Sequence, residues 1–105
     1  MSFRQGDVLV VPTENIPESV EIVAPENGRL IVARGEATGH HHSFPHNRGA
    51  TLFRDDSHGG SMFVTTTETV LLEHQEHTAL PLLPGKYKIV IQRIFQSGTI
   101  KTVLD

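Results

Sequence analysis

The chain has 105 residues, 37% of them apolar and 20% charged, with no cysteine. That length bounds it to one domain, 1–105, with apolar content enough for a core. The missing cysteines exclude disulfides, thiolate chemistry, iron–sulfur clusters and Cys-containing zinc sites. Nine Lys and Arg against twelve Asp and Glu leave a formal charge of −3. Lys86, Lys88, Arg93 and Lys101 are dispersed, so the sequence argues against nucleic acid as a partner. The opening Met1-Ser2-Phe3-Arg4-Gln5-Gly6-Asp7 has no apolar signal core, and no apolar run is long enough to cross a bilayer. No membrane partner is therefore expected, and a cytoplasmic location is.

Short apolar runs separated by turn residues predict strands rather than helices. Gly6-Asp7 opens into Val8-Leu9-Val10-Val11, which Pro12 ends. So uniformly apolar a strand is expected to be buried on both faces or to lie at the centre of a small barrel. Thr13 to Arg29, with Pro17, Pro25 and Asn27-Gly28, reads as loop with a short strand over Val20 to Val23. Leu30 to Gly35 is the next strand. Ala50 to Arg54 and Ser61 to Thr65 form a hairpin about Asp55-Asp56-Ser57-His58-Gly59-Gly60, whose two aspartates read as a solvated turn rather than a cation site. Thr69 to Glu73 and Thr78 to Leu83 follow, and Pro84-Gly85 turns the chain into a long strand from Lys86 to Phe95. Gln96-Ser97-Gly98 makes the last turn before Thr99 to Leu104. About eight short strands without a crossover helix predict an all-β fold, a small antiparallel β-barrel or sandwich.

Six of the seven histidines lie in two patches, Gly39-His40-His41-His42 with His46 behind it, and His74-Gln75-Glu76-His77. Side chains alternate across a strand, which sorts them. His74 shares parity with Val70 and Leu72, so it is expected on the apolar face. His77 has the opposite parity and can join His74 only if Gln75-Glu76 turns or bulges. His40 and His42 share one face of an extended segment, and His41 points away. The constellation that results is His40, His42, His74 and His77, with Glu76 beside them as oxygen ligand or general base. Neutral imidazole is the commonest metal-ligating side chain, so these four are expected to hold a divalent transition metal, Zn, Mn, Fe or Ni. The alternative is that they are turn histidines, or core histidines satisfied by backbone carbonyls. His46, after Pro45 in a polar loop, and His58, in the hairpin turn, are expected at the surface, with His46 able to complete a site.

Other catalytic arrangements are absent: no serine sits in a G-x-S-x-G elbow, and no glycine-rich phosphate loop precedes a helix. The strings Ala33-Arg34-Gly35-Glu36-Ala37-Thr38-Gly39-His40-His41-His42, His74-Gln75-Glu76-His77 and Pro84-Gly85-Lys86-Tyr87 with Gln92-Arg93 resemble a group of small uncharacterised bacterial proteins. These carry GE-x-TGH-x-H, H-x-EH and PG-x-Y-x-V-x-x-QR segments, and the likeness spans Gly28 to Arg93. His41 falls on the variable middle position. The group implies the choice of residues but no activity. A weaker likeness is to the cupins, barrels that hold a metal through an HxH pair, a glutamate and a later histidine. His40 and His42 fit the pair, while Ser43-Phe44-Pro45-His46-Asn47 follows where the glutamate would stand.

Two functions follow from this sequence. In one, a metal with an open coordination position acts on a small-molecule substrate and Glu76 takes the proton. In the other, the domain is a non-catalytic accessory or interaction module whose histidines are structural or pH-sensing. The terminal strand from Thr99 to Val103, with Lys101 its one charged guard, is an edge on which a homodimer is expected to pair.

Overall fold

The computed structural model describes residues 2–35, 39–96 and 99–102, without the side chains of 58 and 93–102. Glu36, Ala37 and Thr38 of the first motif, the Ser97-Gly98 turn, the end of the expected pairing edge at Val103, and the side chain of His58 lie outside the described residues. Strand β1 (Phe3–Gln5) was not foreseen from the sequence. It pairs antiparallel with β2 (Val8–Pro12), Gln5 opposite Val8, through the two-residue loop Gly6-Asp7. Gly6 has φ 58, the left-handed conformation that a two-residue hairpin asks of its first loop position and that glycine adopts without strain. Within β2, Val8 and Val10 are fully buried while Leu9 and Val11 are half-buried, so the strand has one core face rather than two.

The expected strand over Val20 to Val23 reduces to β3 (Glu21–Ile22), exposed at a sheet edge. β4 (Arg29–Arg34) pairs with β5 (His41–Pro45), which takes up the extended segment expected at His42 and begins one residue after His40. β6 (Ala50–Asp55) and β7 (Ser61–Thr66) form the expected hairpin, Asp55 opposite Ser61. The turn is a single 3-10 stretch over Asp56–His58. Asp55 does not bind solvent there: it is fully buried and accepts from Ser19 Oγ at 2.9 Å and Ser57 Oγ at 2.6 Å. β8 (Val70–Leu72) pairs with β9 (Leu80–Leu82). The long strand expected from Lys86 to Phe95 breaks into β10 (Gly85–Ile91) and β11 (Arg93–Gln96), the latter paired with β12 (Thr99–Thr102). The break falls where its neighbour runs out. Ile91 faces Val8, the first residue of β2, and the next amide, Gln92 N–H, donates to the carbonyl of the loop residue Asp7 at 2.8 Å.

Six strands form one antiparallel sheet in the order β1-β2-β10-β7-β6-β3, and none of the sheets closes on itself among the described residues. The fold is all-β, as expected. A second layer covers the large sheet: the β4–β5 and β8–β9 ribbons are joined by a bridge between Ser43 and Glu73, whose backbones exchange hydrogen bonds of 3.0 and 2.8 Å. The core fills the space between the layers, with Val8, Val10, Leu52, Val64 and Ile89 from the large sheet against Leu30, Val32, Phe44, Leu72 and Leu82 from the ribbons. Among the described residues no helix is long and apolar enough to cross a membrane.

Candidate metal centre

Two strands of the ribbon layer deliver the histidines. In β5 the alternation puts His42 on the same face as Phe44, and both are fully buried. In β8, Val70 and Leu72 face the core, and His74, two residues further on, stays on that side at 9% exposure. The chain then bends through Gln75, Glu76 and His77, as the parity of His77 requires, and does not resume a strand until Leu80. The bridge between Ser43 and Glu73 sets the two segments side by side.

All four expected histidines meet. The His42 and His74 ring centroids are 4.4 Å apart, His74 and His77 4.7 Å, His40 and His74 5.6 Å, and His42 and His77 6.1 Å. Glu76 joins at the solvent side, its Oε1 3.5 Å from His40 Nδ1, with the two side chains 54% and 28% exposed. Backbone geometry commits part of this donor set. His74 Nδ1 accepts from the Glu76 backbone N–H at 3.0 Å, so in the neutral ring the proton sits on Nε2, and His74 offers a metal a lone pair only once that contact opens. Among the described residues, the buried Nε2 of His77 has no hydrogen-bond partner, a costly state for a polar atom removed from water.

The sequence reading missed two members, Gln5 and Asp7, both buried at the β1–β2 turn of the opposite layer. Gln5 Nε2 donates to the carbonyls of Leu72 at 2.8 Å and Thr78 at 3.0 Å, which fixes the direction of its amide. Its Oε1 therefore faces His42 Nδ1, 2.8 Å away, as an acceptor, and assigns that nitrogen the proton. The other nitrogen, His42 Nε2, stands 3.1 Å from Asp7 Oδ1. In the neutral ring both atoms of that pair offer only lone pairs, so a cation belongs between them. Either a proton or a metal ion satisfies the contact. Two donors each about 2.1 Å from one ion lie roughly 3.0–3.4 Å apart at octahedral to tetrahedral angles, and the observed separation falls in that range. As the side chains stand, no group of three or more His, Asp or Glu among the described residues is arranged to hold a metal ion. The half-buried His40 and His77 would have to turn about their side-chain bonds to close a site around His42 and Asp7.

The remaining histidines stand apart. His41 turns to the other face of β5, where its Nδ1 meets Ser43 Oγ at 3.1 Å and its backbone N–H donates to Gln75 Oε1 at 2.9 Å. His46 is exposed on the rim of an apolar cavity of about 530 Å³ lined by Val23, Leu30, Ala50 and Leu52 and does not complete the centre.

No curated protein and no solved structure matches the chain. A family model does, the Domain of unknown function DUF8820, over residues 4–92. The chain belongs to that family, and the matched span contains every residue of the centre, Gln5 and Asp7 included.

Proposed function

We propose that this member of the DUF8820 family binds a divalent transition metal through His42, Asp7 and His77, with His40 at the rim and His74 joining only if it releases the Glu76 backbone N–H, and presents it to a small-molecule substrate. The observation that carries the reading is the 3.1 Å contact between His42 Nε2 and Asp7 Oδ1 while Gln5 holds the proton on Nδ1. An orphaned ring nitrogen on His77 beside it supports the reading. An all-nitrogen and oxygen donor set suits Zn, Mn, Fe or Ni, and such an ion would act as a Lewis acid or lower the pKa of a bound water. Glu76, exposed and next to His40, is our choice for the residue that takes up the proton.

The second reading places a proton where the first places the metal. His42 is then an imidazolium paired with the Asp7 carboxylate, the cluster holds the two layers together, and the domain is an accessory module. The lack of three converging donors in the side chains as they stand favours it. Elemental analysis of protein purified without an affinity tag separates the two. Near-stoichiometric transition metal, or stoichiometric uptake when Zn, Mn, Fe or Ni is added to the metal-free chain, is the expected result. A chain that arrives empty and takes up none of the four at micromolar concentration leaves the imidazolium reading.

A further inference from the structure

We propose that the cleft beside the histidine centre binds a small oxyanion, a carboxylate or phosphate group, through Arg29, His41 and Gln75. The cleft measures about 280 Å³ and is lined by Arg29, His41, Ser43, Glu73, His74 and Gln75, with no apolar residue among them. Both residues of the Ser43–Glu73 bridge line it, and His74 is shared with the histidine centre, so a ligand seated there abuts the proposed metal. The proposal rests on the metal reading only for what the anion reaches; the anion contacts themselves need no metal.

Hydrogen-bond accounting shows that the cleft offers donors. Arg29 commits Nε to Ser43 Oγ at 3.0 Å, and Nη2 to the Ser43 carbonyl at 3.2 Å and to Glu73 Oε1 at 2.8 Å. Among the described residues its Nη1, with two N–H groups, has no partner. Ser43 Oγ, accepting from Arg29, turns its own proton to His41 Nδ1, which leaves His41 in the tautomer with N–H at Nε2. Gln75 spends Oε1 on the His41 backbone N–H, which leaves its NH2 group. Three lining residues thus each keep N–H groups without an acceptor among the described residues. The one carboxylate present, Glu73, is held by Arg29 and is 43% exposed, free to swing to solvent when a ligand takes its place. A planar guanidinium with two open N–H groups, flanked by neutral donors, suits an oxyanion and not a cation or an apolar group.

The test is an NMR titration of the full chain, freed of metal on a chelating resin and then loaded with zinc, using sodium acetate and sodium phosphate against matched sodium chloride. Saturable shifts at Arg29, Ser43 and Gln75 in the metal-free protein are expected, and whichever salt binds more tightly identifies carboxylate or phosphate as the source. Gln75→Glu keeps the acceptor for the His41 amide, sits on an exposed bend and replaces the donor with a charge. It should weaken binding by about tenfold or more without disturbing the fold. Arg29→Gln should abolish binding. Shifts no larger than those with chloride, or Gln75→Glu binding as tightly as the unaltered chain, overturn the proposal. Shifts that appear only after zinc loading overturn it too, because the anion is then held by the metal. Anion binding by a chain that takes up none of Zn, Mn, Fe and Ni leaves the cleft standing and removes the metal reading.

Discussion

Gln5 makes three hydrogen bonds from one buried side chain, two to carbonyls of the ribbon layer and one from His42, and so ties the edge of the large sheet to the histidine centre. Replacing it with Met keeps the volume but strands two carbonyls and an imidazole N–H. Each buried group left without a partner costs about 1–3 kcal/mol, so Gln5→Met, which strands three, should lose at least about 3 kcal/mol in urea unfolding, far more than a surface substitution. Asp7→Asn keeps the shape and removes the charge. It should weaken zinc binding by at least about tenfold, since an amide is a poorer ligand than a carboxylate. An affinity unchanged by Asp7→Asn would place the ion, if one binds, away from the His42–Asp7 contact. Neither residue was legible beforehand. Gly6-Asp7 read only as the lead into a strand, and nothing local says that it turns a hairpin or that its carboxylate ends beside a histidine 35 positions away.

At the scale of the element, the histidines were legible because strand alternation is a local rule. Leu72 and His74 share a face by counting, as do His42 and Phe44, and the fold keeps both pairs inside. The extended course of the chain at His42 was legible, but the pairing of β5 with β4 and its burial were not: His41-His42-Ser43 is polar, and its burial comes from the ribbon and from Arg29 rather than from its own hydropathy. Gly49, the bend residue just before β6, has a φ of 86 in the left-handed region. A Cβ there would stand 2.5 Å from Glu68 Cγ, a side chain that can move, so the backbone carries most of the cost. Gly49→Ala should lose about 1–2 kcal/mol. Leu72→Ala, which empties a fully buried position beside the Gln5 anchor, should lose about 2–5 kcal/mol.

For the whole molecule, the metal reading predicts linkage between zinc and stability. A ligand bound only by the folded state at a hundred times its dissociation constant adds about 2.7 kcal/mol. For a domain of this size that raises the melting temperature by roughly 10–20 °C. Differential scanning calorimetry with zinc and then with chelator should show that difference. His42→Ala combined with His77→Ala should erase it, while His46→Ala, exposed and apart from the centre, should leave it intact. Equal melting temperatures with and without zinc for the unaltered chain would favour the imidazolium pair.

The sequence by itself determined the all-β class, the absence of thiolate ligands and the four histidines that come together. These follow from a period of two and from which atoms the chain possesses, both of which are local. Only the tertiary structure decided the rest. It opened the sheet rather than closing it, supplied Gln5 and Asp7 from the opposite layer, and turned Ser43, Glu73 and Arg29 into a donor-lined cleft. Gln5 donates to the Leu72 carbonyl across 67 positions, and Arg29 reaches Glu73 across 44. Contacts of that span are set by how two layers stack over a shared core, and the pattern of any one strand carries no trace of its partner across that core.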